Sequence, residues 1–146
     1  MQLNLTRTLL ATAAVLAFTA MPAYADILTF SADLTGAAEV PPTDSKGTGQ
    51  FEGTLDTDNK VFTWIVTYEG LSGDVTGAHF HGPAAEGANA DPVVPLTEPL
   101  ASPINGSATL TDEQITQLKD GKWYFNLHTA KFPDGEIRGQ VKPDTV

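Results

Sequence analysis

From Asp26 onward, short β-prone runs alternate with Gly, Pro, Asp and Asn, and this punctuation leaves room for strands and for little else. Residues 27–34, 48–56, 60–69, 74–81, 106–110, 122–129 and 135–142 are strand-like runs, most of them carrying β-branched or aromatic residues. Seven such runs predict an all-β fold, an antiparallel Greek-key-like β-sandwich. Pro41-Pro42 stops the first strand from continuing, and Asp58-Asn59 is placed for a hairpin turn between the second and third. The chain has no cysteine, so no disulfide, thiolate metal site or cysteine nucleophile is available, and stability must come from packing, hydrogen bonds, a metal or a second subunit.

One segment breaks the strand pattern. Thr111-Asp112-Glu113-Gln114 has the form of a capping box, Ile115 and Leu118 give an apolar edge, and Gly121 is a natural stop, which predicts one short helix. Residues 82–103, rich in Ala, Pro, Gly and Asn, form a long connection, and such loops often carry function. Trp64 and Trp123 are assigned to the core, and Glu39, before the double proline, to a turn.

Residues 1–25 read differently. Arg7 precedes an apolar run from Leu9 to Met21, and Ala23-Tyr24-Ala25 supplies a small-x-small cleavage site, the pattern of a secretory signal peptide. An exported protein of one domain, residues 26–146, is expected in the periplasm or outside the cell, with no membrane anchor after cleavage. Of the charged residues only Arg7 lies in the leader, so the mature part has seven cations against eighteen acids, a formal net charge of −11. That balance disfavours binding to nucleic acid or to an anionic membrane. Five of the seven cations, Lys119, Lys122, Lys131, Arg138 and Lys142, lie toward the C-terminus, where a small anion is drawn in despite the overall charge.

The three histidines of the chain are His79, His81 and His128. In a strand, residues i and i+2 share a face, so His79 and His81 point two imidazoles the same way, opposite Ala78 and Phe80. In 122–129 the same alternation sets Trp123, Phe125 and Leu127 against Lys122, Tyr124, Asn126 and His128. A polar sheet face carrying all three histidines is a metal clamp with an open position, and copper is the metal expected ahead of zinc, because Cu(II) tops the divalent affinity order and imidazole suits it. A hairpin between 122–129 and 135–142 places Glu136 near His128, where a carboxylate orients an imidazole, and Arg138 one step along, where it receives an anion. A zinc hydrolase, a copper carrier without catalysis and an extracellular interaction module whose histidines are incidental are the competing readings.

Gly36-Ala37-Ala38-Glu39-Val40-Pro41-Pro42, Gly77-Ala78-His79-Phe80-His81-Gly82-Pro83, Asn126-Leu127-His128-Thr129 and Gly135-Glu136-Ile137-Arg138-Gly139-Gln140 resemble signatures of the CHRD family, named after the repeated domain of chordin. The resemblance implies an all-β secreted domain over residues 26–146; in chordin-type animal proteins the domain belongs to an extracellular antagonist of growth factors. A weaker resemblance is to copper/zinc superoxide dismutases, Greek-key β-sandwiches with a His-x-His strand. It implies His79, His81 and His128 as copper ligands, Arg138 as the catalytic residue that guides superoxide, and a dismutase that uses copper alone. The fourth histidine, the disulfide and the zinc cluster of those enzymes have no counterpart here. Water, or a second subunit of a symmetric homodimer, would then supply a fourth ligand.

Overall fold

A computed structural model describes residues 11–20 and 26–145. The strand-like runs become β1 (Ile27–Thr35), β2 (Thr48–Asp56), β3 (Val61–Glu69), β4 (Val75–His81), β6 (Ile104–Thr109), β7 (Trp123–Thr129) and β8 (Ile137–Pro143). A further strand, β5 (Pro92–Pro95), lies inside the segment expected to be a connection. It is only four residues long and bounded by prolines, so no alternation announces it; its pairing with β4 makes it a strand. Residues 11–20, part of the expected signal peptide, have no regular structure, and Val15, Leu16 and Phe18 stand exposed. The remainder of that segment lies outside the described residues. Among the described residues no helix is long and apolar enough to cross a membrane.

All strand pairings are antiparallel, in the order β5-β4-β7-β8-β1-β2-β3-β6. The sheet curls so that its two halves face each other. β3 and β4 have four strands between them in that order, yet the rings of Trp64 and Phe80 lie 4.9 Å apart. The core between the halves is a cluster of rings: Phe80 on β4 meets Phe51, Phe62, Trp64, Trp123 and Phe125. The expected alternation is met on β4 and β7, with Ala78, Phe80, Trp123, Phe125 and Leu127 all at 0 % exposure.

The helix forms where the capping box predicts it, as α1 (Asp112–Lys119). The Gln114 amide N–H donates to Thr111 Oγ1 at 3.1 Å, and the Thr111 N–H donates to Gln114 Oε1 at 3.0 Å, so two of the helix's unpaired N-terminal donors are satisfied. Leu118 is its buried contact, and the Trp123 indole N–H donates to Gln117 Oε1, tying the helix to the start of β7.

Phe80 joins both halves of the core and carries a histidine on each side of it in sequence. Phe80→Ala should lower unfolding stability by about 3–5 kcal/mol in denaturant titration, the range for deleting a fully buried ring. A loss under about 1 kcal/mol would show that the ring cluster does not hold the two halves together.

Candidate metal centre

The ladder between β4 and β7 sets Gly77 opposite His128, His79 opposite Asn126, and His81 opposite Tyr124. On its other side β7 pairs with β8, which sets Asn126 opposite Arg138 and Tyr124 opposite Gln140. One sheet face therefore carries His79, His81, Tyr124, Asn126, His128 and Arg138 side by side. It is not an open polar surface: Tyr124 and Asn126 are each 3 % exposed and Arg138 is 2 % exposed. The segment 82–91 and the turn after β1 cover it.

His79, His81 and His128 come together, each offering one ring nitrogen, with the three nitrogens within 4.8 Å of one another. His79 Nδ1 lies 3.0 Å from His128 Nε2. Two nitrogens each about 2.0 Å from a shared ion, at angles of about 90–110°, are separated by about 2.8–3.3 Å, so this spacing suits one metal. Backbone carbonyls set two of the rings. His81 Nδ1–H donates to the Ala90 carbonyl at 2.9 Å and His128 Nδ1–H to the Pro133 carbonyl at 2.9 Å, which turns Nε2 of each ring toward the site, where that of His128 meets His79 Nδ1. His81 Nε2 is buried and has no hydrogen-bond partner among the described residues. An unpaired buried acceptor costs about 1–3 kcal/mol, and a bound metal ion would satisfy it.

The electrostatics favour the neutral, metal-binding form of His79 and His81. Burial, followed by the neighbouring His128 and His81, pushes the His79 pKa below its ordinary value. His81 is also pushed down, chiefly by burial; the Ala90 carbonyl and Asn126 oppose this, while His128 and Arg138 add to it. Neutral imidazoles are what a metal requires.

Glu136 goes elsewhere than expected. It is 0 % exposed, but its carboxylate accepts from the Ser45 hydroxyl at 2.7 Å, the Thr129 hydroxyl at 2.7 Å, and the hydroxyl and backbone N–H of Ser72. Burial pushes its pKa up, and these donors outweigh it and hold the carboxyl below its ordinary value. The carbonyl of Pro133, not Glu136, orients His128. The hairpin register did predict which strand faces Glu136, but the hydroxyls of Ser45 and Ser72, on two loops distant in sequence, and of Thr129 at the end of β7 claim the side chain.

Arg138 lies on the β8 side of the covered face, opposite Asn126. Its guanidinium sits 3.4 Å from the Tyr124 ring, approaching from the β8 side, while His81 stacks on that ring from the β4 side at 4.7 Å. Nη1 donates to Asn89 Oδ1 at 2.9 Å and Nη2 to the Ala88 carbonyl at 2.5 Å. Tyr124 Oη meets both the carbonyl and the N–H of Ala90, at 3.1 Å each. Arg138 and Tyr124 thus pin Ala88-Asn89-Ala90, the strap whose carbonyl fixes His81. The other expected cations are dispersed: Lys142 pairs with Glu86 at 3.0 Å and Lys131 lies over Phe132.

Glu39 is the residue that sequence reasoning placed as a turn and that the fold buries, at 5 % exposure. Asn126 Nδ2 donates to Glu39 Oε1 at 3.4 Å. Gly135, with φ of +127°, makes room for this pair, since a Cβ there would run into Glu39 Oε1 and Asn126 Nδ2. Burial raises the Glu39 pKa from 4.5 to about 7, against the lowering pull of Arg138 and Asn126. The one signal in the sequence was an acid inside Ala-Ala-Glu-Val-Pro-Pro, an otherwise apolar stretch.

A carboxyl whose folded pKa is raised binds its proton more tightly when folded, so its contribution is present below pH 4.5 and is lost as pH rises through about 7. Stability should fall by up to about 3 kcal/mol across that window, and Glu39→Gln should remove this fall. His79 and His81, held down, act in the opposite sense, losing stability as pH falls, so the difference between wild type and Glu39→Gln isolates the carboxyl. Parallel stability-versus-pH curves from denaturant titrations of the two proteins would contradict the burial of an ionisable Glu39.

No curated protein and no solved structure matches the chain. The CHRD domain family does match, over residues 30–141. That span runs from β1 into β8 and takes in the three histidines, Asn126, Arg138 and Glu39. The chain belongs to the CHRD domain family.

Proposed function

We propose that this chain is an exported copper-binding protein that holds one ion with His79, His81 and His128. The observation that carries the reading is the convergence of three imidazole nitrogens within 4.8 Å, one of them, His81 Nε2, buried without a partner. Three neutral imidazoles suit zinc as well as copper, and the affinity order favours Cu(II) at such a set. The leader-like pattern of residues 1–25 supports export, which takes the protein to where copper is less tightly held than in the cytoplasm. Copper bound there would supply one-electron chemistry toward a small oxidant, with superoxide as the anion to test. Arg138 serves this reading as the residue that holds the strap over His81, because its guanidinium is already engaged by Asn89, Ala88 and Tyr124.

The exported protein should take up one copper per chain, with electron paramagnetic resonance showing nitrogen coupling from imidazoles. Single His79→Ala, His81→Ala and His128→Ala changes should each weaken Cu(II) by at least about 100-fold in chelator competition, more than the loss of an outer partner commonly costs. Saturating copper should raise the melting temperature by several degrees, since an ion at about 100 times its Kd adds about 2.7 kcal/mol to the folded state. Unchanged affinity in all three variants would sink the shared site. Dismutation by the copper-loaded protein no faster than by apo-protein or free copper would leave copper binding without that activity.

A further inference from the structure

We propose that Asn126 supplies a fourth donor, an amide oxygen, to the metal of the three-histidine site; the proposal rests on the copper reading above and adds to it the chemistry of the fourth position. Asn126 stands at the middle of the covered face, directly opposite His79 on β4, directly opposite Arg138 on β8, and two residues before His128 on its own strand. It is 3 % exposed, and its Oδ1 has no hydrogen-bond partner among the described residues.

Asn126 Nδ2 donates to Glu39 Oε1, which is held in the cradle that Gly135 leaves open, so the oxygen end is the one presented to the histidines. The amide also lies against the His81 ring. His81 commits Nδ1–H to the Ala90 carbonyl, so a neutral ring presents Nε2 as a second lone pair, likewise buried and unpartnered. Two buried acceptors side by side with no donor between them repel. A cation accepted by both turns that repulsion into attraction and leaves neither atom unsatisfied.

The chemical consequence is a preference between oxidation states. Three imidazoles satisfy Cu(I), whereas Cu(II) favours a larger set of nitrogen and oxygen donors in tetragonal geometry. A neutral amide oxygen beside three imidazoles therefore stabilises Cu(II) selectively, and it does so without adding charge to a buried site.

The test compares wild type with Asn126→Leu, which removes the oxygen at similar volume, and Asn126→Asp, which keeps the shape and makes the oxygen donor anionic. Cu(II) and Cu(I) affinities are measured separately by competition with chelators specific for each, and the Cu(II) forms are examined by electron paramagnetic resonance. Asn126→Leu should keep the three-nitrogen pattern, lose Cu(II) affinity about tenfold and hold Cu(I) affinity within about twofold, which raises the reduction potential by about 59 mV. Asn126→Asp should shift the ratio the other way, toward Cu(II). Circular dichroism and thermal melts establish that each variant is folded, and the Asp variant gives the result alone if the Leu variant is not. Identical affinity ratios and identical spectra in all the folded proteins would overturn the fourth-donor assignment and leave the histidine site standing. A wild-type spectrum without nitrogen coupling would overturn the histidine site, and the fourth donor with it.

Discussion

The register of β4 on β7 is the constraint on which the rest depends. It sets His79 opposite Asn126 and Gly77 opposite His128, so that the two histidines of one strand and the single histidine of the next close around one point. The same register sends Phe80 and Phe125 inward, where their rings lie 5.1 Å apart. Because strand periodicity is two, a slip by one residue would turn the phenylalanines out and the histidines into the core. Burial of the ring cluster, worth roughly 1.5–3 kcal/mol per fully buried large apolar side chain, therefore also fixes the geometry of the polar face behind it. Gly77 contributes by lacking a side chain, since a Cβ there would lie 3.3 Å from the His79 ring and 3.8 Å from that of His128.

What distinguishes this polar face from an ordinary solvated sheet is its cover. Arg138 reaches Ala88 and Asn89, Asn89 Nδ2 reaches the Val40 carbonyl at 3.0 Å, and the Ala90 carbonyl accepts from both His81 and Tyr124. A loop from one side and the turn after β1 from the other are thus tied together across the sheet. Each tie is modest, about 0.5–1.5 kcal/mol for a neutral hydrogen bond and about 1.5–3 kcal/mol for one from a guanidinium. Their joint effect is to cover the face and fix the orientation of the His81 ring, the kind of preorganisation that a metal-binding site would need.

Much of this was legible in the residue pattern. Alternation identified the inward phenylalanines and the face carrying His79, His81 and His128, and the Thr111-to-Gln114 box identified α1, because both signals are local and act over two to four residues. The pattern did not reveal what lies on top of that face. Glu39 reaches Asn126 from 87 residues away, and Glu136 meets Ser72 and Ser45 from 64 and 91 residues away. Periodicity tells which side of a strand a residue leaves; it carries no information about the distant segment that meets it there. β5 was missed for the same reason, since its pairing partner, not its composition, makes it a strand.

The charge distribution bears on how the site is used. With Arg138 engaged inside the fold, the cation closest to the histidines is not displayed to solvent, and the seven cations of residues 26–146 are outnumbered by eighteen acids. A surface of that sign concentrates metal cations and repels small anions over roughly the Debye length of about 8–10 Å. On the proposed copper reading, long-range electrostatics would therefore favour acquisition of the ion over capture of superoxide, and a reaction with an anion would have to be driven by the metal's own charge at short range. On that reading, the same field would favour a neutral donor such as the Asn126 amide at the fourth position, since it would complete an ion's coordination without deepening a negative charge that the fold already carries.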